Sequence, residues 1–124
     1  MSTMIGEHLS KHYGHGDAVV SAIEDMNFVI ESGEFVAIMG ESGAGKSTLI
    51  NVLSGSLAAD SGRILFQGMD ITHLPIHRRV RMGLCRSFQV VNVFPELTVF
   101  DNIQIPVLTI RGRSRKLLRS IFKE

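Results

Sequence analysis

The chain has 124 residues, thirteen Lys and Arg against twelve Asp and Glu, a net charge of +1, and 44% hydrophobic residues. That balance is ordinary for a globular chain and excludes a disordered, collagen-like or low-complexity one; the length accommodates one domain with a real core. The only cysteine, Cys85, excludes an internal disulfide and fits a reducing compartment, no apolar run approaches the roughly 20 residues of a membrane helix, and no signal peptide is expected at the N-terminus.

In chain order, residues 20–30 read as a strand, because Met26, Phe28 and Ile30 alternate with polar neighbours. Ser32-Gly33 signals a turn, and residues 34–39 (E-F-V-A-I-M) read as a short, largely buried strand that forms a hairpin with the first. A glycine-rich stretch at 40–45 follows. Residues 46–54 have helical spacing, with Leu49, Ile50 and Leu53 on one side. Asp60-Ser61-Gly62 is a turn, residues 63–67 a strand with Ile64 and Phe66 on one face, and Gly68 another turn. Residues 75–82 read as a helix that tolerates Pro75 in its first turn, residues 84–89 as a strand, and residues 99–105 as a helix ending at Pro106.

Charge is concentrated at the end of the chain. Residues 1–110 carry seven basic and eleven acidic residues, whereas Arg111, Arg113, Arg115, Lys116, Arg119 and Lys123 face only Glu124 in the remainder. Leu117, Leu118, Ile121 and Phe122 recur there at helical spacing. Two readings follow: the solvated face of an amphipathic helix whose apolar stripe requires a partner, or a patch for anionic lipid or nucleic acid.

The sharpest chemical signal is Gly40-Glu41-Ser42-Gly43-Ala44-Gly45-Lys46-Ser47-Thr48, which matches G-x-x-x-x-G-K-[ST]. Phosphate oxygens need several converging N–H donors. Glycines allow the tight, partly left-handed backbone that aims them, and the following helix presents its free N–H groups and positive dipole end to the same anion. Lys46 adds a mobile cation, the Ser47 hydroxyl is a hard oxygen suited to Mg²⁺, and Thr48 adds a hydroxyl near the inner phosphates. The alternative is a glycine-rich strand-to-helix turn without a ligand.

Lesser signals are bland. His8, His12 and His15 have spacings that would suit a metal on a helix, but Gly14 and Gly16 disrupt that helix and no cysteine or carboxylate completes a set. Cys85 reads as a small buried hydrophobe. No nucleophilic triad or pair of catalytic carboxylates is evident.

With these residues in hand, the chain resembles the ATP-binding subunit of an ABC transporter, from about Leu9 to about Ile103. Leu9-Ser10-Lys11-His12-Tyr13-Gly14 resembles the family's N-terminal strand and aromatic loop. Gly33-Glu34 leads into the strand before the phosphate loop, and Ser61-Gly62-Arg63-Ile64 with Gly68 resembles its β-hairpin. Arg86-Ser87-Phe88-Gln89 resembles the segment ending at the Q-loop glutamine, and Phe94-Pro95-Glu96-Leu97-Thr98-Val99 with Asp101-Asn102-Ile103 the stretch after it. Residues 70–79 (D-I-T-H-L-P-I-H-R-R), together with 94–99, are similar to importers of branched-chain amino acids and related polar substrates.

The resemblance implies a P-loop α/β fold of the ABC ATPase type: an antiparallel β subdomain, the start of a RecA-like core and the start of the helical subdomain. It implies ATP and Mg²⁺ as cofactors. Residues 40–48 would cradle the phosphates, with Lys46 and Gln89 in catalytic roles and Ser47 and Gln89 at the metal. Tyr13 would stack on adenine or, alternatively, pack in a small apolar cluster. Phe94, Pro95, Leu97 and Val99 would receive the transporter's coupling helix or else belong to the core. Transmembrane permease subunits and a second ATP-binding subunit would be the partners, with no nucleic acid expected. The location would be cytoplasmic, peripheral on the inner face of the plasma membrane.

The family's L-S-G-G-Q signature, its apolar run ending in Asp-Glu and its switch histidine do not occur in these residues. Leu53-Ser54-Gly55-Ser56 imitates a signature but lies at the end of the phosphate-loop helix, where Gly55 suits a C-cap. The chain is therefore expected to be a partial nucleotide-binding domain over 1–124, binding MgATP without turnover. It would energise import of a small polar solute such as an amino acid, or act as a non-catalytic nucleotide-binding or regulatory module that docks on a transporter or a full-length ATPase.

Overall fold

The computed structural model describes residues 1–88 and 93–111. The chain divides into two compact units, Met1–Ile76 and His77–Glu124. The first contains β1 (Ser2–Tyr13), β2 (Val20–Glu31), α1 (Lys46–Ser54), β3 (Ser61–Phe66) and β4 (Met69–Asp70), with a 3₁₀ turn at Gly16–Ala18. The strands form one antiparallel sheet in the order β2-β1-β3-β4.

Pairing brings one apolar face together. Met4 stands opposite Ile30 on one side and Phe66 on the other, and Leu9 opposite Met26. Met4, Leu9, Ile23, Ile64 and Phe66 are buried, and α1 lies against β2 with Leu49 and Val52 buried. The helical spacing puts Leu49, Ile50 and Leu53 on one side; of these only Leu49 is buried, and Val52 takes the deepest place, because a short helix touches the sheet along one i, i+3 pair. Gln67 and Gly68, both at positive φ, make the two-residue turn from β3 to β4. After β4, Ile71 returns to the core, its N–H donating to the Ile64 carbonyl at 2.9 Å.

The β1–β2 ladder is interrupted between Gly6 and Leu9, where His8 and Asp25 adopt left-handed conformations on facing strands. Side chains compensate for the lost ladder. Asn27 Oδ1 accepts the His8 N–H at 2.9 Å, Ser10 Oγ accepts the Asp25 N–H at 3.0 Å, and His8 Nδ1 lies 2.6 Å from Asp25 Oδ1. On the other flank Gly62 has φ +92°, and a Cβ there would lie 2.5 Å from the Glu7 carbonyl oxygen, so only glycine lets β3 approach the bulged strand.

Two expected strands are not formed. Residues 34–39 have no strand structure, with Phe35 99% and Met39 88% exposed, and β2 pairs with β1 instead. An all-apolar run becomes a strand only when neighbours supply a ladder and cover both faces, and among the described residues none does so. Residues 84–88 are likewise irregular, with the Arg86 guanidinium 5.0 Å from the Phe88 ring centroid and Cys85 exposed rather than buried.

The second unit holds α2 (Ile76–Arg81), at whose start the division falls, and α3 (Val99–Ile110). α2 matches the expected helix. α3 runs on through Pro106 instead of stopping there: a helix that has already nucleated survives the loss of one i→i−4 bond. Thr98 caps it, accepting the Asp101 N–H at 3.1 Å and donating its hydroxyl to Asp101 Oδ2 at 2.6 Å. Asn102 ties down the preceding loop by accepting the Phe94 N–H at 2.8 Å and donating to the carbonyls of Phe94 and Thr98.

Candidate nucleotide-binding site

The phosphate loop joins the irregular segment after β2 to α1. Its turn is closed by the Ala44 N–H donating to the Glu41 carbonyl at 3.1 Å. Gly43 (φ +82°) and Gly45 (φ +91°) are left-handed. Gly45 is also the N-cap of α1, and no side chain caps it. The opening N–H groups of that helix, from Lys46 onward, are thus left to an external acceptor. A Cβ at Gly45 would collide with the Ala22 carbonyl oxygen of β2, so the loop fits against the sheet only with glycine there.

Lys46 lies back across its own loop. Its ammonium donates to the Gly40 carbonyl and, at 2.7 Å, to the Glu41 carbonyl. Both acceptors are neutral, so an arriving anion competes with two neutral bonds rather than with an ion pair. Ser47 is exposed at the start of α1, and Thr48 Oγ1 lies 3.3 Å from the Tyr13 hydroxyl at the end of β1. Tyr13 is 44% exposed, so its ring projects to solvent rather than joining an apolar cluster.

These groups share one open depression of about 400 Å³, within the range of small-molecule sites. Tyr13, Ser42, Gly43, Gly45, Lys46, Ser47 and Thr48 line it. Gly40, Glu41 and Ala44 do not; they shape the loop and hold Lys46. Gln89, expected at the metal, lies outside the described residues, as does the basic segment beyond Arg111. Val20, Ser21 and Ala22 also line the depression. Their alternation marked them only as strand, because which strand end flanks a loop is decided by sheet pairing, not by local pattern.

Among the described residues no acidic side chain lines this depression, which combines the Lys46 ammonium with the positive end of a helix. The donor set therefore fits a polyphosphate, and the Ser47 hydroxyl fits a hard cation beside it. Two of the three histidines are engaged elsewhere, His8 with Asp25 and His12 with its Nδ1 3.4 Å from Asp60, both on a strand rather than a helix; His15 lies beyond the strand, before the 3₁₀ turn. Among the described residues no group of three or more His, Cys, Asp or Glu could hold a metal ion.

In the second unit, Phe94, Pro95 and Val99 are exposed rather than core, and Leu97 is partly buried. With Val93 and Ile103 they line a shallow apolar groove of about 340 Å³. Among the described residues no helix is long and apolar enough to cross a membrane.

Comparison with known proteins extends this geometry. The family model described as "ABC transporter" matches residues 23–123. The spermidine/putrescine import ATP-binding protein PotA of Protochlamydia amoebophila is 41% identical over 81% of this chain and 25% of its own length. A probable branched-chain amino acid transport ATP-binding protein, LivG of Archaeoglobus fulgidus, is 34% identical over 85% of the chain and 39% of its own. The ribose import ATP-binding protein RbsA 1 of Mesorhizobium japonicum is 42% identical over 80% of the chain and 18% of its own. Among solved structures, MJ1267, an ATP-binding cassette of an ABC transporter, superposes with a TM-score of 0.73 at 31% identity, over 90% of this chain and 46% of that one. A dimeric cassette in a post-hydrolysis state bound to ADP and Pi superposes with a TM-score of 0.73 at 25% identity, over 94% of this chain and 54% of that one. The chain thus spans between about a fifth and two fifths of these curated relatives and about half of these solved cassettes.

Proposed function

Because the chain belongs to the ABC transporter family, we propose that it is an ATP-binding component of a transporter and holds MgATP at its phosphate loop. The observation that carries this reading is the glycine-capped start of α1, with left-handed Gly43 and Gly45 and the Lys46 ammonium beside it.

Lys46 exchanges its two loop carbonyls for phosphate oxygens. Residues 40–48 supply the cradle of N–H donors, Ser47 gives its hydroxyl to the cation, and Thr48 gives a hydroxyl to the inner phosphates. Tyr13 offers its exposed face to the adenine. Gln89 would serve at the cation and the attacking water. When bound, ATP supplies a phosphoanhydride whose hydrolysis drives transport. Residues 1–124 act as part of a nucleotide-binding domain.

The solute imported is small and polar. Relatives named for polyamine, branched-chain amino acid and ribose import show that the cassette sequence does not fix it, and the likeness of residues 70–79 and 94–99 favours an amino acid. Permease subunits dock on the exposed groove of the second unit, because a contiguous apolar patch of this kind marks an interaction surface. A second ATP-binding subunit completes the assembly at the inner face of the membrane, as the dimeric cassette suggests.

The test is Lys46→Ala with MgATP titration. Removing a charge-assisted contact is expected to weaken binding by about tenfold or more. Equal affinity in wild type and variant overturns the reading.

A further inference from the structure

We propose that Asp60 is a positioning residue that holds Tyr13 beside the phosphate loop, and that it sets the base-dependent part of nucleotide affinity; this rests on the nucleotide reading above. The argument begins with the end of β1. Tyr13 pairs with Val20 of β2, but pairing with β3 stops at Ser10 opposite Ser61. Lys11, His12 and Tyr13 therefore have a strand neighbour on one side only, and a half-paired strand end frays.

Asp60 fills the missing side. Its N–H donates to the Ser10 carbonyl at 2.9 Å. Its Oδ2 accepts the His12 N–H at 2.7 Å, and its Oδ1 accepts the Lys11 ammonium at 3.1 Å. One aspartate thus continues with its side chain the ladder that β3 has ended. Lys11 links the clamp to the aromatic ring: its ammonium is 5.9 Å from the Tyr13 ring centroid, within the range of a cation–π contact. The Tyr13 hydroxyl then meets Thr48 Oγ1 on α1 at 3.3 Å. The contacts run without a gap from Asp60 through Lys11 and Tyr13 to the phosphate-loop helix. Asp60 does not line the depression itself, so its influence on a ligand passes through Tyr13.

The experiment uses the sole tyrosine, in a chain without tryptophan, as its own reporter. MgATP and inorganic tripolyphosphate are titrated into wild type, Asp60→Ala and Asp60→Asn, with tyrosine fluorescence corrected for nucleotide absorbance. Wild type should bind both, ATP more tightly, with ATP quenching the tyrosine. In Asp60→Ala, ATP affinity should fall about fivefold or more, the lower end of a lost stacking contact, and the quench should shrink, while tripolyphosphate affinity stays within about twofold. Asp60→Asn, which keeps an acceptor for His12, should restore most of the ATP affinity. If Asp60→Ala does not fold, Lys11→Met removes the other arm of the clamp and should lower ATP affinity and quench with tripolyphosphate binding kept. Unchanged ATP affinity and quench in the folded variant overturn the proposal, as does an equal fall for both ligands, which would mark Asp60 as a support of the whole loop. Wild type that binds neither ligand overturns the nucleotide reading itself.

Discussion

Two aspartates show how local bonds become a pH dependence. The His12 backbone N–H, then the Lys11 ammonium, hold the Asp60 carboxyl below the usual aspartate value of 3.8. The Thr72 hydroxyl and N–H do the same for Asp70, with bonds of 2.5 and 2.9 Å. A folded-state value below the unfolded one means that the unfolded chain takes up protons first on acidification. The stabilisation is complete above 3.8 and is lost as pH falls through the lower folded value. The Tm difference between wild type and Asp60→Asn should therefore be constant from about pH 7 to 5 and shrink below about pH 4. A difference that grows toward low pH contradicts the assignment. At this scale the loop before α1 was legible as a motif, because G-x-x-x-x-G-K-[ST] is a compact run whose glycines and lysine carry their own chemistry; that Gly40, Glu41 and Ala44 stay off the depression was not. Asp60 was legible only as a turn residue, since its partners, Ser10 to His12, lie about fifty positions away.

Elements were legible where each carries its own periodicity or cap. β2 shows its half-buried face at Met26, Phe28 and Ile30, and β3 its buried one at Ile64 and Phe66. α1 begins and ends at left-handed glycines, Gly45 and Gly55. The two strand misreadings share one cause. Residues 34–39 and 84–88 have strand-like composition, but a strand exists only with a ladder partner, and local sequence does not contain the partner. The elements also differ in what sustains them. Ile64 is 1% exposed in the sheet core, so Ile64→Ala should cost about 2–5 kcal/mol. Thr98 caps a helix at the surface, so Thr98→Ala should cost about 1 kcal/mol. Urea denaturation of the two variants checks the order, and an equal loss contradicts it.

For the whole molecule, the chain carries two compact units, one with the phosphate loop and one with an exposed apolar groove. On the proposed reading, binding and docking fall to different units. The sequence contains the phosphate-binding loop but neither an L-S-G-G-Q signature nor an apolar run ending in Asp-Glu. The 124-residue chain alone should therefore bind MgATP and turn it over at less than about 1 s⁻¹, the low end of typical enzymes. Phosphate release by the purified chain measures this, and faster turnover contradicts it. In the first unit Phe35 and Met39 are each exposed as well.

The sequence by itself determined the family, the G-x-x-x-x-G-K-[ST] loop before α1 and those elements that carry their own periodicity or cap. Each of these is written in residues close together, so spacing and side-chain chemistry suffice. Only the tertiary structure decided that Tyr13 stands beside Thr48, that Val20, Ser21 and Ala22 wall the site, and that Asp60 takes over the ladder of β1. It also decided that the E-F-V-A-I-M segment has no ladder partner among the described residues. These facts depend on which strands meet and where their pairing stops. Register between distant segments is set by packing of the whole sheet, and no single stretch of the chain encodes it.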